Sequence, residues 1–564
     1  MKETTSIRSS VMAAFGVLAL LSLVLGYAGL RAYLADQQQV SFLDLVYYDL
    51  QLFVIDSTPL GEGGPLPWPL EIARFTAPAV TVYALIETVR LLLSSEVRRL
   101  RAREASRHAI VCGTGALGQA LTQRLREEGR KVVVIGTGGG DLPRGPGVLH
   151  VTGDATDPLV LRAAGASRAR TVYACEDDAT VNVAIAATVH GMNPPAPVAA
   201  YAHVPDPRLC AALRARRLGV SEPRDHRLDF FNLDELAVRV LLARDPVEQP
   251  RPVLLLGLKT FGAALLVELA RRWRLLAPPP GTRLPVRVIA PEADSEVAAV
   301  CRTYPFVAEN CALTCENAGV DDLRDLLDAG REHPQRVYVC YADDHLALTA
   351  TLTVAPLWTG APVVVRVSRR RMFGEVFRDG RLMEDLAGSL QIFAVTEEAG
   401  KPDLIDEDVI ERIARAIHDR YVLACVQRGD TPGGNASMVP YEELSEAKKG
   451  QNRDQAAHIG AKLAAVGCVP APSTEAPHTF AFTGDEVERL ARMEHTRWMR
   501  YLTDRGWTHG PERDDDALRH PDLLDWEYLS EQARDKDREA VAQLPDILQD
   551  AGFRIVRLPT STGP

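Results

Sequence analysis

Cysteine is sparse and unpatterned: the 564 residues hold nine, with no CxxC pair. That excludes a disulfide scaffold and a zinc site, and a scattered, odd count suits a reducing cytosol. Cys311 and Cys315 share a helical spacing, but no histidine stands near them, so they read as buried apolar residues. Positive charge is not in excess either. Lys and Arg number 64 against 75 Asp and Glu, a net charge of −11, which excludes a generally basic nucleic-acid coat. With 46% hydrophobic and 25% charged residues, the chain as a whole is neither disordered, collagenous nor a coiled-coil rod. No Ser or Cys nucleophile signature, metal motif or Walker loop is present, so no catalytic residue, metal or enzyme activity is expected. At roughly 150 residues per domain, the length suggests three to four domains.

What the average hides is an insoluble beginning. Ser9 to Leu30 is 22 residues without a charge, about 33 Å as a helix and enough to cross a hydrocarbon core. It is longer than a signal-peptide core, and Arg31-Ala32-Tyr33 is not a small-residue cleavage site. A second stretch, Phe75 to Leu93, is interrupted only by Glu87 and Arg90, one turn apart. Lys2 and Arg8 precede the first span, and the run Arg98 to Arg103 follows the second. The positive-inside rule then places both termini in the cytoplasm and residues 35–74 outside.

Between the spans, Ser41 to Phe53 reads as a short amphipathic helix before the turn-rich Gly61-Glu62-Gly63-Gly64-Pro65. The span, short helix, span order and the Phe, Asp, Tyr and Leu spacing resemble two-helix potassium channels. The filter departs from that family. Val54-Ile55-Asp56-Ser57-Thr58 stands in place of TVGYG, whose carbonyls replace the water of potassium. Potassium selectivity is not supported, and a plain hairpin joining two anchors is the other reading.

A run of αβ units follows. The strand Arg107 to Cys112 leads into Gly113-Thr114-Gly115-Ala116-Leu117-Gly118, a helix from Gln119 to Glu128, and the strand Lys131 to Ile135. A GxGxxG between strand and helix is where a phosphate cradle belongs. The acid expected after the second strand is replaced by Gly136, with Asp141 the nearest carboxylate. With Gly153-Asp154-Ala155-Thr156-Asp157 and the segment Val172 to Asn182, residues 108–190 resemble the KTN/RCK nucleotide-binding domain of potassium channels and Trk-type transporters. The resemblance implies a cytosolic gating ring and makes Gly113, Gly115, Gly118 and Asp154 the contacts to NAD or another adenine nucleotide. A vestigial pocket is the alternative.

The chain then repeats itself. Val253-Leu254-Leu255-Leu256-Gly257-Leu258-Lys259 starts a second strand and turn, and Val337 to Asp344 echoes Val172 to Asp178. Lys259 replaces the middle glycine and blocks close backbone approach, so this copy reads as structural. Two lobes per chain, by fold analogy, suit a homotetrameric ring.

A helical repeat occupies the remainder. Glu411 to Tyr421 parallels Glu488 to Trp498, Tyr441 to Glu446 parallels Trp526 to Glu531, and Asn452-Arg453 parallels Asp537-Arg538. The second copy adds Gly506-Trp507-Thr508-His509-Gly510-Pro511-Glu512-Arg513-Asp514-Asp515 and His520-Pro521. That HxxW, GWxxGPxRDD, HP, WxxL order resembles the ryanodine-receptor repeat (RyR domain), and the first copy is its degenerate partner. The resemblance implies paired repeats whose aromatics face an adenine-containing nucleotide. The ligand-binding candidates are His418, Tyr421, His495, Arg497, Trp498, Arg513 and Arg538, with core aromatics as the bland reading. Stacking accepts a purine face, and arginine holds phosphates.

The expectation is therefore multidomain: a two-span membrane module at 1–104, Rossmann-like α/β domains at 105–245 and 246–400, and all-α RyR-type repeats at 401–475 and 476–564. Lipid, further copies of the chain and an adenine nucleotide are the expected partners, nucleic acid is not, and the cell membrane is the expected location. The expected function is a nucleotide-sensing, channel-like effector. A non-conducting receptor or a transporter's regulatory subunit is the alternative.

Overall fold

The computed structural model describes residues 2–35, 40–54, 65–137, 147–192, 197–219, 228–276, 278–279, 281–326, 334–354, 361–369, 390–407, 409–430, 437–473 and 480–559. The filter-equivalent residues 55–58, the turn 61–64 and Asp141 lie outside these, as do the side chains of 2–10 and 90–101. The chain divides into two compact units, one of residues 1–104 and 144–150 and one of 105–143 and 151–564.

Among the described residues the first unit has three helices, Lys2–Tyr33, Phe42–Leu52 and Trp68–Glu104. Val11–Tyr33 and Trp68–Val89 are each long and apolar enough to cross a membrane. Small residues let the two long helices meet: a Cβ on Gly29 would stand 2.5 Å from the Leu70 amide nitrogen, the close approach that small residues permit in membrane interfaces. Ser22 Oγ donates to Thr76 Oγ1 across that seam at 2.7 Å. The short helix starts on a reciprocal cap, with Ser41 and Asp44 each accepting from the other's backbone amide region. Leu45 and Leu52 turn it onto Leu30, Leu34 and Leu70.

The second unit contains two parallel six-stranded sheets. The first has β1 (Ala109–Cys112), β2 (Val132–Gly136), β3 (Val148–Thr152), β4 (Thr171–Ala174), β5 (Ala199–His203) and β6 (Leu228–Phe231). The second has β7 (Val253–Leu256), β8 (Leu284–Ala290), β9 (Cys311–Asn317), β10 (Arg336–Val339), β11 (Val363–Val367) and β12 (Leu390–Ala394). Their orders, β3-β2-β1-β4-β5-β6 and β12-β11-β10-β7-β8-β9, are the same doubly wound pattern. In each, the order reverses beside the first strand, which opens a ligand crevice at the carboxyl edge. Strands β1, β2, β4 and β7 are buried along their whole length, as continuous Val, Ile and Leu runs demand in a sheet covered on both faces. Cys311 and Cys315 lie on β9 rather than a helix, with Cys311 buried and Cys315 half-buried. Their four-residue spacing also fits one face of a strand.

After β12 the chain returns to the first sheet, where Tyr173 Oη donates to Asp406 Oδ1 at 2.8 Å. The two helical repeats follow. Helices Val409–Gln427, Glu446–Ala457 and Ile459–Ala465 end in β13 (Cys468–Pro472). Helix Gly484–Thr503, the small ladder of β14 (Thr508–His509) and β15 (Arg519–His520), and helices Glu531–Ala542 and Leu544–Asp550 end in β16 (Phe553–Arg557). β13 and β16 pair antiparallel, so each copy contributes one strand to a ribbon that joins them. Leu463, Leu490, Leu544 and Leu548 form a shared core beneath it.

Candidate functional site

At the first crevice the backbone is shaped by glycine. Gly113 has φ +119°, and a Cβ there would stand 2.6 Å from the Cys175 carbonyl oxygen. A Cβ on Gly118 would sit 2.2 Å from the Gly113 oxygen, so the turn rests directly on the helix Ala116–Glu127. Gly115 caps that helix without a side-chain hydrogen bond, which leaves its first amides available to an anion. Above Gly115 the space is open except for Asp177 Oδ1, 3.3 Å from a Cβ position.

Carboxylates surround this turn. Asp154 Oδ1 accepts from Thr156 N and Thr156 Oγ1, both at 2.8 Å, and these bonds hold its carboxyl below the usual range. Burial raises the Glu176 carboxyl, and the charges of Asp177 and Asp154 raise it further. Gly136 ends β2, and its oxygen accepts from Gly153 N at 3.1 Å. Asp154, the next residue, is thereby held beside the position where a ribose-binding acid belongs. Buried Asn182 fixes the opposite wall, accepting from Glu176 N at 2.7 Å and donating to Glu176 O and His203 O. The sequence shows Asn182 only as one residue of a motif, because its role depends on β5 arriving beside it.

The turn at the second crevice lacks a glycine cradle. Leu258 is buried, and a Cβ on Gly257 would stand 3.0 Å from the Tyr341 ring. Lys259 is exposed, and Thr260 Oγ1 donates to Asp234 Oδ2 at 2.6 Å.

In the repeats, the expected site residues separate into two groups. Arg497 is 5% exposed and turned inward: it donates to Glu494 at 2.7 and 3.1 Å and to Asp454 at 2.6 Å. Lys462, 1% exposed, donates to the same Glu494. Burial alone would raise the Glu494 carboxyl, but Lys462 and Arg497 hold it at about 2. This cluster ties the two copies together, so Arg497 departs from the phosphate-binding expectation. Arg538 is committed to Glu488, Glu531 and Asp535. His495 is clamped between Asp537, 3.1 Å from Nδ1, and the Leu524 oxygen, 2.8 Å from Nε2. His418 meets the Val439 oxygen at 2.7 Å.

Among the described residues, the ring contacts of Tyr421 and Trp498 are to residues of their own copies. His418 neighbours Tyr421 and Tyr441, and His495 neighbours Trp498 and Trp526. Trp498 instead presents a half-buried ring to His520, 4.9 Å away edge-on, with Trp507 behind it. Arg513 is exposed and paired with Asp515 at 2.7 Å. Lys448, on the first copy's helix, feels its charge: burial and then Arg513 lower the Lys448 ammonium, with Asp515 opposing. Trp498, Trp507, His520, Arg513 and Lys448 thus form an aromatic and cationic patch drawn from both copies. Lys448 carries no motif of its own, and only the pairing reveals it.

Residues 109–222 match the TrkA-N domain. Residues 483–557 match the RyR domain. Among solved structures, the chain is similar to GsuK bound to ADP, with 17% identity, 70% of this chain and 97% of that one covered, and a TM-score of 0.38. It is similar to the GsuK channel bound to NAD at 13% identity, covering 71% and 84%, with a TM-score of 0.36. The Shewanella denitrificans Kef CTD in AMP-bound form aligns at 22% identity over 24% of this chain and 81% of that one, with a TM-score of 0.19.

Proposed function

We propose that this chain is a membrane-anchored, nucleotide-responsive regulatory effector rather than an enzyme. The observation that carries the reading is the Gly113–Gly118 turn: an uncapped helix N-terminus at the switch point of a parallel sheet, with glycines where backbone must approach backbone. NAD or another adenine nucleotide would lay its phosphates on the amides after Gly115 and its ribose toward Asp154. The patch at Trp498 and Arg513 supplies a second surface suited to a purine and its phosphates. In this reading the domains run 1–104, 105–245, 246–400, 401–475 and 476–564. Four chains form a ring in the cell membrane, both termini are cytoplasmic, and the ring acts on the long helix Trp68–Glu104. Val54-Ile55-Asp56-Ser57-Thr58 in place of a potassium filter favours a second reading, a non-conducting receptor or transporter subunit.

Calorimetric titration of the purified full chain with NAD, ADP and AMP tests the first site. Gly115→Asp should abolish binding there, because it puts bulk and negative charge where the phosphates would lie. Undiminished binding to that variant refutes the assignment. Flux into liposomes with and without the bound nucleotide separates a pore from a receptor.

A further inference from the structure

A cavity of about 550 Å³ lies between the two α/β domains and the repeats, away from both surfaces described above. Its size falls within the range of small-molecule sites. The walls come from three sources: Arg208 to Arg239 of the first domain, Leu258 to Tyr304 of the second, and helix Val409–Gln427 with the end of the β13–β16 ribbon.

Ion pairs saturate much of the wall. Glu235 accepts from Arg214 at 2.8 Å and from Arg412 at 2.5 Å, and Glu407 accepts from Arg239. Two polar groups of the remaining wall lack a hydrogen bond among the described residues. Asp419 is 6% exposed and lines the cavity, where the charges of Arg271, Arg415 and Arg274 act on it without a hydrogen bond among the described residues. The Tyr304 hydroxyl, beside Gly552, also has no hydrogen-bond partner among them. At the solvent-exposed rim, Arg208, Lys259 and Arg302 form no ion pair within 4 Å among the described residues. An inner acid and phenol combined with an outer trio of cations is an asymmetric arrangement. It suits a ligand with hydrogen-bond donors and a flat ring at one end and multiple negative charge at the other.

We propose that this cavity binds a nucleoside phosphate, with the base inward against Tyr304 and Asp419 and the phosphates on Arg208, Lys259 and Arg302. The site is separate from the Gly113 crevice and stands or falls independently of it. Its occupant would touch both α/β domains and the repeats at once, so binding would couple them.

Photocrosslinking of the full chain with 8-azido-ADP, followed by peptide mapping, tests the location. Label should appear on peptides containing Tyr304 or Phe553. Label confined to peptides around Gly113 or Trp498, or absent at saturation, overturns the proposal. In the same protein, Lys259→Ser with Arg302→Ser should weaken ADP binding at this site about tenfold or more, since two charge-assisted contacts are lost. Both side chains are exposed, so the melting temperature should not move; unchanged affinity overturns the phosphate assignment. ADP should bind better than inorganic pyrophosphate, and equal competition by pyrophosphate overturns the base assignment.

Discussion

Glu494→Gln tests whether the charge cluster at Arg497 holds the two repeats together. In the wild type, Glu494 neutralises two cations that are 1% and 5% exposed, Lys462 and Arg497. Arg497 keeps Asp454 when the charge on Glu494 is removed, but Lys462 loses its carboxylate. Breaking a buried pair by removing one partner costs about 3–5 kcal/mol, because a charge is left uncompensated. Each kcal/mol moves the transition of a unit of roughly 150–250 residues by about 2–4 °C, so the repeats should melt about 6–20 °C earlier. Scanning calorimetry of the full chain reads the shift, and hydrogen exchange should place the loss in helices Ile459–Ala465 and Gly484–Thr503. Lys462→Met combined with Glu494→Met should recover much of the stability, since no stranded ammonium remains. An unmoved transition together with lost adenine-nucleotide affinity would refute the structural reading and return Arg497 to the ligand.

Trp498→Ala should weaken an adenine nucleotide roughly ten- to a hundredfold, at about 1–3 kcal/mol for a stacked base, while Trp526→Ala, 6% exposed, should mainly lower the melting temperature; equal thermal loss in both variants would deny Trp498 a surface role. For His495, burial lowers the imidazole value, but Asp537 and the Leu524 oxygen raise it more, to a net value above the ordinary 6.5. Its contribution is therefore complete below pH 6.5 and lost as pH rises through the elevated folded value. The repeats should be less stable at pH 9 than at pH 6, and His495→Gln should flatten that slope; a slope of the opposite sign contradicts it. Finally, Gly63→Cys should react with an impermeant maleimide in intact cells, and reaction only after permeabilisation would invert the proposed topology.

Much of the architecture is legible in local spacing. The glycines at 113, 115 and 118 and the β-branched runs around them specify strand, turn and helix through short-range sterics, and the second α/β copy betrays itself by the same pattern. The helical repeats are legible for the same reason, because each HxxY or HxxW helix carries its own i, i+3 face. What local spacing cannot carry is the direction in which a side chain meets a distant partner. Arg497 sits beside Trp498 in sequence, yet it turns inward because Asp454 from the other copy and Glu494 from its own balance its charge. Tyr421 and Trp498 match by repeat, but the copies pair through β13 and β16 and a shared core, so each ring stays with its own histidine. Cys311 and Cys315 could follow a helix or a strand face, and pairing with β8 decides for the strand. The cavity beside Asp419 is the extreme case: its walls are brought together from residues 206 to 553, and no sequence window contains them. Local chemistry determined the elements, while burial and charge compensation across long sequence separations decided which of their side chains remain free to meet a ligand.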